Sequence, residues 1–533
     1  MRFPRTIFPA LAVLALATGV GLLPSCGSAP RPTGPRLVVL YATCTVSKDF
    51  LSPYGHRDPE SDPAPIDFTP NLQRFADEGT VFERHNTEAG QSGVAFASIF
   101  TGVQADRHGV YFHPDEVPAE LLDVSEAFAA NGYAPHVWSG QAMAAAKYGY
   151  GQAVPESDVH YTHVEFTKRA KELPAGFFPE TTANTPEFDA ILEELQRDPD
   201  AGAFVQVNFT ITHELYHEYA DLEKIEAFRR AHPAHATDLS SDEIAETLRF
   251  FEENRHRLQL NHEEAVRELG MSPEDVDRLD AVLQLTYKAC VAQLDHWFGV
   301  FLDRIDAAGL KDDSLIAFTA DHGETFYHES EPFHWMHGLQ LAPSVIGVPW
   351  ILRGSAAGVP AGARYGGVTR SIDVYPTMLG LCDGSLPDGY AVDGVDLTGA
   401  VRGGKEPRLF AFSHTSTLGE ARVKRYAREK HTTAMNVMPK AAPEFMWVRV
   451  RDGDMIFEQR RLSGEDMQLV AFDLATDPWR SRDVFDAADE EHARMAERLA
   501  AYRKRLTRNY DSGSFDQKEA LAALRGLGYV GDD

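Results

Sequence analysis

Residues 314–324 read SLIAFTADHGE. The first seven form a short, nearly continuous apolar run of strand length, as expected of a strand buried on both faces. Directly after it stand Asp321, His322 and Glu324, side chains able to ligate a metal or move a proton. In an open parallel sheet, ligands bind beyond the carboxyl ends of the strands. One stretch therefore predicts a fold and the place of its chemistry.

The same pattern recurs along the chain. LVVLYAT (37–43) is followed by Cys44 and Thr45, and AFVQVNF (203–209) by Thr212, His213 and His217. A fourth apolar run, SVIGVPWIL (344–352), follows HWMHG and its His337. Helical patterns separate the runs, around Thr69–Gly79 and Leu285–Ala307. Buried strands alternating with helices predict an α/β fold with a mostly parallel central sheet flanked by helices. A lone Asp-His or a lone Cys is usually structural; potential ligands gathered at the ends of three strands are a far more specific signal.

Residues 219–283 are charged and helical and read as an insertion on the surface. After about residue 405 the chain changes character. MWVRVRDGDMIFEQR alternates as strand, a turn centred on Asp-Gly, then strand. QLVAFDL, the helical stretch Ala487–Arg505 and a last helix in QKEALAALRGLGYV follow, so 405–533 reads as a smaller C-terminal α+β domain.

The N-terminus carries Arg2 and Arg5, an apolar run from Ile7 to Leu23, then Pro-Ser-Cys, the pattern of an export signal over residues 1–25. Leu23-Pro24-Ser25-Cys26 resembles a bacterial lipobox, which implies acylation of Cys26 and a Pro-rich tether over 26–36. The expected location is the cell envelope, lipid-anchored, or the exterior by plain secretion; no later segment is apolar for ~18 residues. Losing Arg2 and Arg5 takes the formal charge from −29 to −31. A chain that acidic, without a basic stripe, is not a nucleic-acid binder. Beyond Cys26 the cysteines are Cys44, Cys290 and Cys382, an odd number that excludes a disulfide scaffold.

Residues 213–217 spell His213-Glu214-Leu215-Tyr216-His217, a match to H-E-x-x-H. A zinc peptidase needs that motif inside a packed helix, with a third ligand downstream. Five residues often match by chance, so a metallopeptidase is the remote reading.

Several blocks in order carry a resemblance. LYATCTVSKDFLSPYGH, FTPNLQRFADEGTVFERH and ASIFTGVQADRHGV resemble the opening of the sulfatase branch of the alkaline phosphatase superfamily. SLIAFTADHGE resembles its metal strand, SIDVYPTMLGLC with DGVDL its later landmarks, and AFDLATDP with LRGLGYV its ending. The resemblance implies an alkaline-phosphatase-like catalytic domain over 37–404. It also accounts for His213 and Tyr216, which match a substrate-binding histidine and a following tyrosine, with His217 beside them as a further substrate-binding residue.

Counting back from ASIFTG, the family's formylglycine-forming position falls on Ser92. The family shows C-x-P-x-R or S-x-P-x-R there, but this chain has Ser92-Gly93-Val94-Ala95-Phe96, without the proline and arginine. Phosphodiesterase relatives keep an unmodified hydroxyl nucleophile at this position. Ser92 as nucleophile and Ser92 as a helix N-cap stand side by side. The family's leading metal-binding aspartate falls on Cys44 and its partner on Thr45. A divalent ion held by Cys44, Thr45, Asp321 and His322 is implied; calcium is the sulfatase ion, and Cys and His ligands favour zinc. Cys44 as a plain buried thiol is the other reading. The lysine of the family's G-K motif has no counterpart in NGYAPHVWSGQ. The expected activity is cleavage of a small-molecule or glycan sulfuric, phosphoric or phosphonic ester. Ser92 would attack, and His213 and His337 would bind the anion and stabilise charge. A sulfatase-like binding protein that has lost turnover is the alternative.

Overall fold

In the computed structural model the described residues are 31–56, 64–111, 115–141, 144–161, 186–415, 447–460 and 467–508. The export signal, Cys26 and the last helix in QKEALAALRGLGYV lie outside them. Leu37–Thr43 (β1) is buried along its whole length. Leu37, Val39 and Tyr41 join one large apolar cluster, whereas Val38, Leu40 and Ala42 join another. That division is the period of two of a strand with helices on both faces.

The other strands of this sheet are Thr80–Asn86 (β2), Ala134–Ser139 (β3), His160–Tyr161 (β4), Ala203–Phe209 (β5), Ser314–Ala320 (β6), Trp350–Arg353 (β7) and Ala363–Arg370 (β8). Their order is β4-β3-β5-β1-β6-β7-β2-β8. Every neighbouring pair is parallel except those of β7, which runs antiparallel to β6 and β2. The expected α/β sheet, mostly parallel and flanked by helices, is the one found. SVIGVPWIL is not one strand. Pro343 opens a short helix, Pro343–Ile346, and the strand starts only after Pro349. Proline is at ease at the first helical position and lacks the N–H of a ladder residue, so Pro343 starts the helix just before the run and Pro349 divides the run itself.

On one face, the helix Pro273–Ala307 packs Phe298 and Phe301 on Tyr41, with ring centroids 4.9 and 5.5 Å apart. It starts at Ser272, whose side chain and that of Asp275 form a capping box, with Pro273 next. It runs unbroken through residue 283, where sequence suggested a boundary. The preceding segment is helical too, over Leu222–Ala231, Ser241–Leu260 and His262–Leu269. It is more than surface decoration: Ile244, Leu248, Phe251 and Leu258 belong to the same apolar cluster as Tyr41's neighbours. The opposite face carries Ser92–Thr101 and Ser371–Leu381.

The smaller antiparallel sheet contains Ala411–His414 (β9), Trp447–Asp452 (β10), Met455–Arg460 (β11) and Gln468–Asp473 (β12), in the order β12-β11-β10-β9. The expected hairpin is β10–β11, but Asp452 pairs with Met455, so the loop is Gly453-Asp454. Gly453 takes φ +60°, the requirement at the first position of a type II′ turn. Glu490–Arg508 is the final described helix, close to the expected Ala487–Arg505.

Gly323, two residues beyond Asp321, lies against backbone. A Cβ there would sit 1.9 Å from the Ser344 carbonyl oxygen, while the Gly323 amide donates to Val345 O at 2.8 Å. Backbone so tied cannot retreat, so Gly323→Ala should destabilise the chain by about 1–3 kcal/mol. Gly399→Ala, where nothing lies within 4 Å, should stay within about 0.5 kcal/mol. Urea unfolding of both variants checks the pair; equal midpoints would refute the close-approach argument.

Candidate functional site

β1 and β6 end level, because Thr43 pairs with Ala320. Cys44 and Asp321 therefore leave the sheet side by side. The Asp321 amide donates to the Thr43 carbonyl at 2.9 Å. Asp321 Oδ1 accepts from the amides of Thr45, at 2.9 Å, and His322, at 2.6 Å. Thr45 stands at φ +60°, a costly conformation for a β-branched residue. Asp321 holds it there from one side, and the Tyr287 hydroxyl, donating to the Thr45 carbonyl at 2.8 Å, from the other. Thr45 thus offers Asp321 its amide, while its hydroxyl lies 3.2 Å from Cys44 Sγ.

Asp321 is fully buried, yet its Oδ2 has no hydrogen-bond partner. That oxygen is 3.5 Å from His322 Nε2. Cys44, Asp321 and His322 each offer a ligand atom within 4.8 Å of the others, the one such group among the described residues. An orphaned buried carboxylate oxygen is costly unless a cation or donor meets it. A sulfur, an oxygen and an imidazole nitrogen around it fit a borderline ion such as zinc better than calcium, which takes six to eight oxygens.

His322 Nδ1 donates to the Gly323 carbonyl at 2.9 Å, which leaves the Nε2 lone pair facing the cluster. Burial pushes this imidazole down to about 4, with Asp321 opposing and His337 adding to the shift. Burial, reinforced by Asp321, pushes the Cys44 thiol well up. With no ion bound, both groups are neutral at pH 7.

Ser92 is the first residue of the Ser92–Thr101 helix, and Gln91 is its N-cap. The Ser92 hydroxyl does not cap the helix. It lies 3.1 Å from His322 Nε2, 3.4 Å from Cys44 Sγ and 3.2 Å from Gln141 Nε2. Gln141 also donates to Cys44 Sγ at 3.1 Å. Gln141 has no signal of its own in the sequence, although it stands just past β3 and obeys the same strand-end rule. APHVWS is short and partly exposed, so it lacks the apolar run that marked the other strands. Asn208 on β5 fixes this turn, its Oδ1 accepting from the amides of Gly140, at 3.2 Å, and Gln141, at 3.1 Å.

His213 and His337 lie side by side. Their rings meet edge-on with centroids 4.9 Å apart, and His337 stacks on His322 at 4.3 Å. His337 Nδ1 lies 3.2 Å from Glu324 Oε2, which also accepts from the Tyr216 hydroxyl at 2.8 Å. Burial pushes Glu324 up to about 8 and His337 down to about 4. His217 is elsewhere: its Nε2 faces Glu252 at 3.6 Å. His213 and Glu214 lie in bends and only Tyr216–Glu218 is helical, as a single 3₁₀ turn. The two histidines of HELYH therefore do not share a helix face, and no metal-ligand group among the described residues contains them. The peptidase geometry is not formed.

An unfolded histidine titrates near 6.5, whereas His337 is held to about 4. Between those values the unfolded chain binds a proton that the folded chain refuses. The stability His337 contributes is thus complete above pH 6.5 and is lost as pH falls toward 4. His337→Gln should flatten the stability–pH curve in that window by up to about 1.4 kcal/mol per pH unit. Urea unfolding at steps between about pH 7 and 4.5 checks this, and parallel curves for the two proteins would disprove it.

Comparison with known proteins bears on this arrangement. The Sulfatase family model matches residues 46–385. The low-salt glycan biosynthesis sulfotransferase Agl7 of Haloferax volcanii is 33% identical over 116 residues, 22% of this chain and 27% of that protein. The multifunctional alkaline phosphatase superfamily protein PehA of Trinickia caryophylli is 29% identical over 123 residues, 23% of each. The matches span about a quarter of the length of these relatives. Among solved structures, the phosphonate monoester hydrolase of Agrobacterium radiobacter superposes with a TM-score of 0.57 at 20% identity, covering 89% of this chain and 96% of that one. Ps i-CgsB in complex with k-i-k-neocarrahexaose gives 0.59 at 14% identity, covering 93% and 98%. At these identities the likeness speaks for the fold. The family match covers more than half of the sequence and includes Ser92, His213, Asp321, His322 and His337; this chain belongs to the sulfatase family.

Proposed function

We propose that the chain is a hydrolase of sulfuric, phosphoric or phosphonic esters, with Ser92 as nucleophile. The observation that carries this reading is the Ser92 hydroxyl, set at a helix N-terminus and within hydrogen-bond reach of Cys44, His322 and Gln141. A helix start favours an anion or a developing alkoxide. The Gln141 amide, donating to Ser92 Oγ, orients that oxygen; its proton is directed at His322 Nε2 only while that lone pair holds no ion. Cys44, Asp321 and His322 would hold a divalent ion, zinc in preference to calcium, which when bound polarises an ester oxygen and lowers the pKa of a nearby hydroxyl.

The covalent step joins Ser92 Oγ to the sulfur or phosphorus and breaks the bond to the leaving alcohol oxygen, which takes up a proton. Water then cleaves the seryl ester and restores the hydroxyl. His213 and His337 would face the anion and stabilise charge as it develops. Val94 and Phe96 stand at the positions of the family's proline and arginine, both buried and apolar. The chain thus presents an unmodified serine. None of the described partners of Ser92 Oγ is a permanent cation, and that favours the second reading, a sulfatase-like binding protein without turnover. The envelope location through an acylated Cys26 belongs to the same proposal. Cys26→Ala should move the protein from the membrane to the soluble fraction, and unchanged fractionation would remove the anchor.

Nitrophenyl sulfates, phosphates and phosphonates, as mono- and diesters, test the reaction. Ser92→Ala should lower turnover by several orders of magnitude, because it removes the attacking atom from a cooperative site. Glu214→Gln should stay within a few-fold of wild type, since a glutamine oxygen can still accept from Gln259. The reverse pattern would revive a base at Glu214. An inactive wild type with the metal loaded would leave only the binding protein. Metal analysis of the same preparation should find a zinc-like ion, held more weakly as pH falls because Cys44 must give up its proton to bind it.

A further inference from the structure

The helical segment between β5 and β6 reaches the loops that follow β1, β5 and β6. On the Ser241–Leu260 helix, Glu252, Arg255 and Gln259 fall at i, i+3 and i+7 and so share one face. That face covers residues 213–218. Glu252 meets His217 at 3.6 Å, and buried Arg255 acts electrostatically on Glu214 and Glu218. Gln259 is 3% exposed, and its one side-chain nitrogen donates both to Glu214 Oε2 and to the Trp335 carbonyl, the latter at 2.6 Å.

These two acceptors belong to different loops. Glu214 directly follows His213, and Trp335 is two residues before His337. A side-chain amide has two N–H hydrogens, and here each is spent on one loop. The long Pro273–Ala307 helix supports the same geometry. Asp280 Oδ1 accepts from the Trp335 indole at 2.7 Å and from the Tyr327 amide at 2.8 Å. Trp335 is fully buried at φ +53°, so its backbone depends on such neighbours.

We infer that Gln259 is a positioning residue, tying the 213–218 loop to the loop before His337 and so fixing the His213–His337 pair beside His322. Its kinetic consequence rests on the ester-hydrolase reading; its structural consequence does not. With the tie cut, the two imidazoles lose their mutual placement while β1, β5 and β6 keep their ladder. The effect falls on the step in which those rings stabilise charge, so kcat drops and KM moves little.

The test uses the full chain in three forms: wild type, Gln259→Met and Gln259→Lys. Methionine matches the length of glutamine without its donors, whereas lysine can still donate to a carboxylate and a carbonyl. Gln259→Met should lower kcat by about tenfold or more with KM within about threefold. It should also speed amide exchange about tenfold in residues 211–219 and 331–339, and leave 314–320 and 447–460 as in wild type. Gln259→Lys should restore most of both. Wild-type exchange in both loops of Gln259→Met would overturn the inference. So would protection lost evenly through β6 and the β10–β11 hairpin, or a Gln259→Lys chain as damaged as Gln259→Met. If wild type hydrolyses no ester, the hydrolase reading falls and the exchange data decide the tie alone.

Discussion

The Asp321 carboxylate is the constraint on which the site depends. Its Oδ1 gathers two backbone amides, from Thr45 and His322, while its own amide reaches back to Thr43. Three bonds from one residue lock the ends of β1 and β6 into a single turn-out. Carboxylate-to-amide bonds are among the stronger hydrogen bonds, and here they hold Thr45 in a conformation it would otherwise avoid. Everything else is arranged around the oxygen left over. Cys44 is brought beside Asp321 by strand register, His322 follows it in sequence, and the Ser92 helix points its first hydroxyl between them.

Burial then decides the state of the groups. His322 and His337 are driven toward the neutral imidazole, Cys44 toward the thiol and Glu324 toward the acid, each chiefly by loss of water. The effects act in opposite directions on stability. The histidines contribute stability that disappears as pH falls below 6.5. Glu324, raised above an unfolded carboxyl, contributes stability that disappears as pH rises from the ordinary carboxylate range through about 8. On the proposed metal reading, an ion taken up by Cys44 would displace the thiol proton, which would couple binding to pH through Cys44.

How much of this was legible in sequence follows from what each element had to do. β1, β5 and β6 are buried on both faces, so their apolar runs are nearly unbroken and their ends locate Cys44, His213 and Asp321. β3 is short and half-exposed, so its exit residue Gln141 stayed hidden despite touching Ser92. The 344–352 run misled because hydropathy does not register the missing N–H of Pro349. Helix 273–307 reads in sequence as two pieces because its first turns are charged where they face solvent. Ser92 was an open choice between cap and nucleophile. The difference of one residue in where the helix begins, which lies within the usual uncertainty of sequence reasoning, separates a hydroxyl used by the helix from one turned to the cluster.

HELYH shows the same limit from the other side. The letters specify a metal site only if an α-helix brings His213 and His217 one turn apart on one face. Here the stretch comes straight off a buried strand, and bends precede its single 3₁₀ turn. His213 consequently turns to His337, and His217 turns outward to Glu252. Glu214, which a peptidase would use as base, instead accepts from Gln259. Two of the pattern's polar residues, Glu214 and His217, are thus taken up by the 241–260 helix packed against them. In physical terms Glu214 and His217 dock the 241–260 helix, while His213 and Tyr216 face the other way, toward His337 and Glu324.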